Sequence, residues 1–138
     1  MIDYNEIENS VIATLSGVVG VNTLSVYSGQ LQDEFKTVAA RFPAVYVLCS
    51  GSSWTPKNQR EQVAVKVEIY CCARDIRMTE ARIGAQDLCL EIRKLLNRKR
   101  VSGAEFILNN EKLVFWHPES RIAVMGAFYN FNTGTVRY

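Results

Sequence analysis

A chain of 138 residues, 48% hydrophobic and 22% charged, has the makeup of one folded domain and excludes a disordered or low-complexity protein. Its formal net charge of +2 implies no nucleic-acid partner unless the cations cluster locally. No apolar run is long enough to cross a bilayer, and MIDYNEIENS carries acids where a secretion signal carries Lys or Arg. The expectation is therefore no membrane partner and synthesis and assembly in a cytoplasm, with Cys49, Cys71, Cys72 and Cys89 as reduced thiols.

Tyr4, Ile7, Val11 and Leu15 recur at helical spacing and predict an amphipathic helix from about Asp3 to Ser16, with Asp3 as N-cap. Gly17 and Gly20 follow as stop signals, and Thr23 to Ser28 reads as a short strand. Leu31, Phe35, Val38 and Phe42 mark a second helix that ends at Pro43. Ala44 to Cys49 (AVYVLC) is a continuous apolar run, too short for a helix, and predicts a strand buried on both faces.

Gly51 to Glu61 (GSSWTPKNQRE) is polar and reads as a long connection. Gln62 to Cys72 then alternates. Val63, Val65, Val67, Ile69 and Cys71 share one face, and Ala64, Lys66, Glu68, Tyr70 and Cys72 share the other. Thr79 to Asn97 is the longest predicted helix, with a stripe of Ala81, Ala85, Leu88, Cys89, Ile92, Leu95 and Leu96. Two short runs, AEFIL and KLVFW, flank a turn-like Asn109–Asn110, and a long strand runs from Arg121 to about Thr133, with Gly126 marking a bulge or a close backbone approach. This order predicts an α+β domain: a mixed, largely antiparallel sheet with helices mainly on one face.

Catalytic chemistry finds little support. His117 is the only histidine, and hydrolytic triads and most zinc sites need His with placed partners. Cys71 and Cys72 are adjacent, so on a strand their sulfurs point apart and cannot chelate one ion. No C-x-x-C, P-loop or G-x-G-x-x-G is present. The expectation is no enzyme, no cofactor and no metal. Arg93, Lys94, Arg98, Lys99 and Arg100 crowd the end of the long helix, where the dipole favours cations; the sharper reading is a basic patch facing nucleic acid or an acidic subunit. Trp54 stands in an otherwise polar stretch, either folded back on its own core or anchoring an interface.

The layout of SVYSGQLQDEF, RFPAVYVLCSG and VAVKVEIYCCARD resembles the tail-terminator or tail-completion proteins of Mu-like phages. The likeness rests on Tyr27, Gly29 and Leu31 in a Y-x-G-x-L segment, a strand led by Pro43, and the strand end from Val67 to Arg74, and covers most of the chain. The resemblance implies one tail-terminator-like domain over 1–138 and a homo-hexameric ring. Such a ring caps the tail tube, stops its polymerisation and offers a surface for head–neck joining. The implied partners are further copies of the chain, the tail tube protein, a neck or head-completion protein, and the sheath where one exists. DNA would only pass non-specifically through the lumen, past the basic patch. The implied location is the virion tail or neck, assembled in the bacterial host cytoplasm. The family transfers no catalytic residues. Trp54, Lys57, Arg60, Lys66, Glu68, Tyr70, Arg74 and Asp75 are the candidate subunit or tube contacts. The alternatives are another neck or tail-completion protein of a phage or contractile injection system, or a small nucleic-acid-binding module.

Overall fold

Asp3 opens the first helix as expected: its carboxylate accepts a hydrogen bond from the Asn5 backbone N–H at 2.9 Å. The computed structural model describes residues 3–18, 20–27, 41–57, 60–101 and 104–137. Helix α1 (Tyr4–Leu15) buries Val11 and Leu15, with Tyr4 and Ile7 packed beside them. Its stripe also includes Glu8, which is buried. The helix expected at Leu31 to Phe42 falls almost wholly within residues 28–40, outside the described residues.

Strand β1 (Thr23–Val26) pairs in parallel with β2 (Ala44–Lys57), which pairs antiparallel with β3 (Arg60–Arg74). The polar stretch 51–57 is therefore not a long connection. It is the second half of β2, paired through Trp54↔Val63 to Lys57↔Arg60. Its polarity records exposure to water rather than absence of a strand. Pro56 is tolerated because β1 reaches only as far as Val47, and among the described residues no strand lies outside β2 beyond it.

Strand β5 (Ala104–His117) is also continuous, where two runs with an intervening turn were expected. The register against β6 (Ile122–Arg137) slips between Leu108 and Asn110 and again between Leu113 and Phe115. Asn109 is thus the extra residue of a bulge; it bends the strand without ending it. With the two-residue β4 (Arg100–Val101), the sheet order is β1-β2-β3-β6-β5-β4, antiparallel except for β1–β2.

Helix α2 (Met78–Leu96) lies with α1 on one face of this sheet. Their side chains meet Val45, Val47, Val63, Val65, Val67, Ile69 and Cys71, the face that alternation predicts. The α2 C-terminus is fastened to β5: Arg98 N–H donates to the Phe106 carbonyl at 2.7 Å, and Asn97 Oδ1 accepts from Leu108 N–H at 2.9 Å. The other face carries a smaller cluster of Ala44, Tyr46, Cys72, Ile122 and Val124, with Tyr27, Phe42 and Tyr70 against it.

Gly126 sits where β6 passes between its neighbours, paired with Tyr70 and Lys112. A Cβ there would lie 2.8 Å from Val114 Cγ2 and 2.9 Å from the Phe128 ring. This differs from both sequence readings: β6 keeps its register at Gly126, and what stands close is side chain rather than backbone. Gly126→Ala should destabilise the fold by about 1 kcal/mol through overpacking, measured by denaturant unfolding; an unchanged midpoint would show that Val114 and Phe128 move aside freely.

Candidate assembly surfaces

The four cysteines are free and buried. Cys71 points into the helix face and Cys72 into the opposite cluster. Among the described residues Cys72 is covered by its own strands and Tyr46. A hydrogen bond with Cys89, then burial, pushes the Cys71 thiol well up, and burial pushes Cys72 up as well. Such thiols are inert at neutral pH. Among the described residues no group of three or more His, Cys, Asp or Glu side chains is placed to hold a metal. His117 closes β5, its Nδ1 accepting from Ser120 N–H at 3.2 Å in the turn to β6.

A bulge in β2 decides where Trp54 goes. The β2–β3 register slips between Cys49 and Gly51, so Ser50 is the extra residue and the strand's faces exchange beyond it. Ser52 and Trp54 therefore pair with Val65 and Val63 and stand on the helix-bearing face. Glu8 secures this bulge: its Oε2 accepts from the Cys49 backbone N–H at 2.9 Å. Trp54 is 51% exposed, yet its Nε1 donates to Ser52 Oγ at 3.2 Å, and the same oxygen accepts from the Tyr4 hydroxyl at 3.1 Å. It lies on a strand, where a loop position had been expected. Lys57 and Arg60 pair at the ends of β2 and β3, and their side chains fall outside the described part of the structure.

Lys66, Glu68 and Tyr70 stand on the opposite, helix-free face, so they do not share a surface with Trp54. The Tyr70 hydroxyl donates to Glu68 Oε1 at 3.1 Å, and burial first, then the Glu68 charge, pushes the phenol pKa up. Lys66 and Glu68 line an open groove of about 220 Å³ together with Phe128 and Lys112. The Lys112 ammonium stands 5.3 Å from the Phe128 ring centroid. Ser50 and Asn109, the extra residues of the two bulges, line its ends. Lys112 and Phe128 were not singled out in the sequence, because alternation alone does not show which outward residues of separate strands converge.

Arg74 and Asp75 are engaged within the chain. Arg74 Nε donates to the Ser120 carbonyl at 3.1 Å and its guanidinium lies 5.9 Å from the Phe42 ring centroid. Asp75 accepts from Arg77 N–H at 3.0 Å, ahead of α2.

The basic cluster is largely paired. Arg93 pairs with Glu111, and Lys94 with Glu91 at 3.1 Å. Arg98 and Arg100 share Glu105 at 3.7 and 3.6 Å. Lys99 is exposed and makes no ion pair among the described residues. Such surface pairs contribute little stability, about 0–1 kcal/mol each, but they reduce the outward positive field.

No curated protein matches the chain in sequence. Among solved structures, one chain from "Virion of native gene transfer agent (GTA) particle" shares the fold, with a TM-score of 0.52 at 9% identity, over 91% of this chain and 92% of that one. The family model described as "Bacteriophage Mu, Gp37" matches residues 3–113, from the α1 cap through most of β5. The chain therefore belongs to the bacteriophage Mu Gp37 family.

Proposed function

We propose that this protein is a structural component of a phage particle that closes the end of the tail tube as a hexameric ring. In that place it stops tube polymerisation and presents a surface to the neck. Its membership in the Mu Gp37 family carries the reading, and the fold shared with a chain of a virion structure supports it. A cap acts through surfaces, and the sheet offers two unlike ones: a helix-bearing face with the half-exposed Trp54, and a helix-free face with a groove. The partly neutralised helix end suits DNA sliding through a lumen better than tight binding, since affinity for DNA follows the number of phosphates neutralised. The same pairing disfavours the nucleic-acid-binding module. Four buried thiols are compatible with assembly in a reducing bacterial cytoplasm.

The test is to add the purified protein to polymerising tail tube protein of the same phage and measure tube length by electron microscopy. The proposal expects growth to halt with the protein bound at one tube end. Continued elongation, with the protein unbound or spread along the tube, would contradict it.

A further inference from the structure

We propose that Trp54 and the groove around Phe128 are two halves of one contact, with the indole of one copy seated in the groove of the next. This inference rests on the ring reading and names its joint. The Trp54 side chain and the groove lie on opposite faces of the same sheet. They point apart, so two copies cannot exchange them reciprocally across a two-fold axis. Each copy must give its indole to one neighbour and its groove to another. That is a heterologous contact, the kind that closes into a ring.

The size and chemistry of the two halves agree. A groove of about 220 Å³ is smaller than the roughly 300–1,000 Å³ of sites for drug-sized ligands, but it suits one large side chain. Phe128 supplies an aromatic surface, and Lys66 and Lys112 bring exposed ammonium groups to its rim. An indole is the best neutral partner for such cations and also packs on a phenyl ring. Trp54 is already restrained by its bond to Ser52 and, through it, to Tyr4. Less side-chain freedom is lost when it docks. A second copy is the occupant because the same chain carries both complementary parts.

The experiment measures self-association of the full chain by native mass spectrometry over a concentration series. It compares wild type, Trp54→Ala and the double variant Lys66→Glu/Lys112→Glu, with circular dichroism melts confirming folding. Each variant should associate at least about tenfold more weakly, as loss of a central aromatic anchor does. An equimolar mixture should form a one-to-one heterodimer and nothing larger, since one intact indole and one intact groove remain between the two chains. Wild-type rings with unchanged Trp54→Ala rings would overturn this joint and leave the ring reading standing. Absence of the heterodimer from two folded variants would also overturn it, as would a wild type that stays monomeric at every concentration; the tube-capping assay then judges the ring reading separately.

Discussion

Replacing Glu8 with Ala should lower stability by about 2 kcal/mol, the scale of losing a charge-assisted hydrogen bond and stranding a buried donor. For a chain of this size that corresponds to a melting temperature lower by roughly 4–8 °C. Glu8 is only 6% exposed, and its carboxylate satisfies the Cys49 N–H beside the Ser50 bulge. A bulge interrupts the ladder and leaves backbone groups in need of partners. Glu8→Gln keeps an acceptor of the same length and should lose less than about 1 kcal/mol, the scale of a neutral hydrogen bond. The consequence extends beyond stability, because the bulge turns Trp54 onto the helix-bearing face. Glu8→Ala should therefore also alter Trp54 fluorescence before unfolding begins. If Glu8→Ala melts with wild type, the carboxylate is not what holds the bulge.

The fold should also fail at alkaline pH, between about pH 9 and 12. Burial first, then the Glu8 charge, pushes the Cys49 thiol from 9.0 to about 12. The Cys71 and Cys72 thiols are raised as well, and so are the phenols of Tyr46, Tyr70 and Tyr129, chiefly by burial for the phenols and Cys72. Each group keeps its proton to a higher pH when folded than when unfolded. Its contribution is complete below the unfolded pKa and is lost as pH rises through the folded value. Every pH unit beyond the unfolded thiol value costs about 1.4 kcal/mol per thiol. The buried thiols and phenols all titrate in this direction, so their losses accumulate over the same range. Circular dichroism across this range should show a cooperative loss of structure. Cys72→Ala should move its midpoint upward, because one titrating group is gone. A native spectrum at pH 12 would contradict the burial of these groups.

The two cysteines of VEIYCCARD show how far periodicity reaches. Alternation from Gln62 to Cys72 assigned the strand and sent Cys71 and Cys72 to opposite faces, as observed. The helix stripes, apart from Leu95, which is exposed, and the Asp3 cap were legible for the same reason: each depends on neighbours no more than four residues away. Features set by contacts between distant segments were not. The second half of β2 is polar because water covers it, so its composition resembles a loop. Asn109 carries a turn signature, but the pairing of Asn110 with Phe128 resumes the strand. Glu8 looks like a solvent residue until Cys49 is seen to need an acceptor. The surface contacts divide in the same way. Trp54 and Lys66 both stand out in the sequence, yet only the Ser50 bulge shows that they face opposite directions.

A cryo-electron microscopy map of intact particles that resolves this chain in place should show a single hexameric ring at the head-proximal end of the tail tube, with Trp54 of each copy against Lys66, Lys112 and Phe128 of the next. Finding the chain along the tube, at the distal tip, or as isolated monomers would contradict its role as the cap.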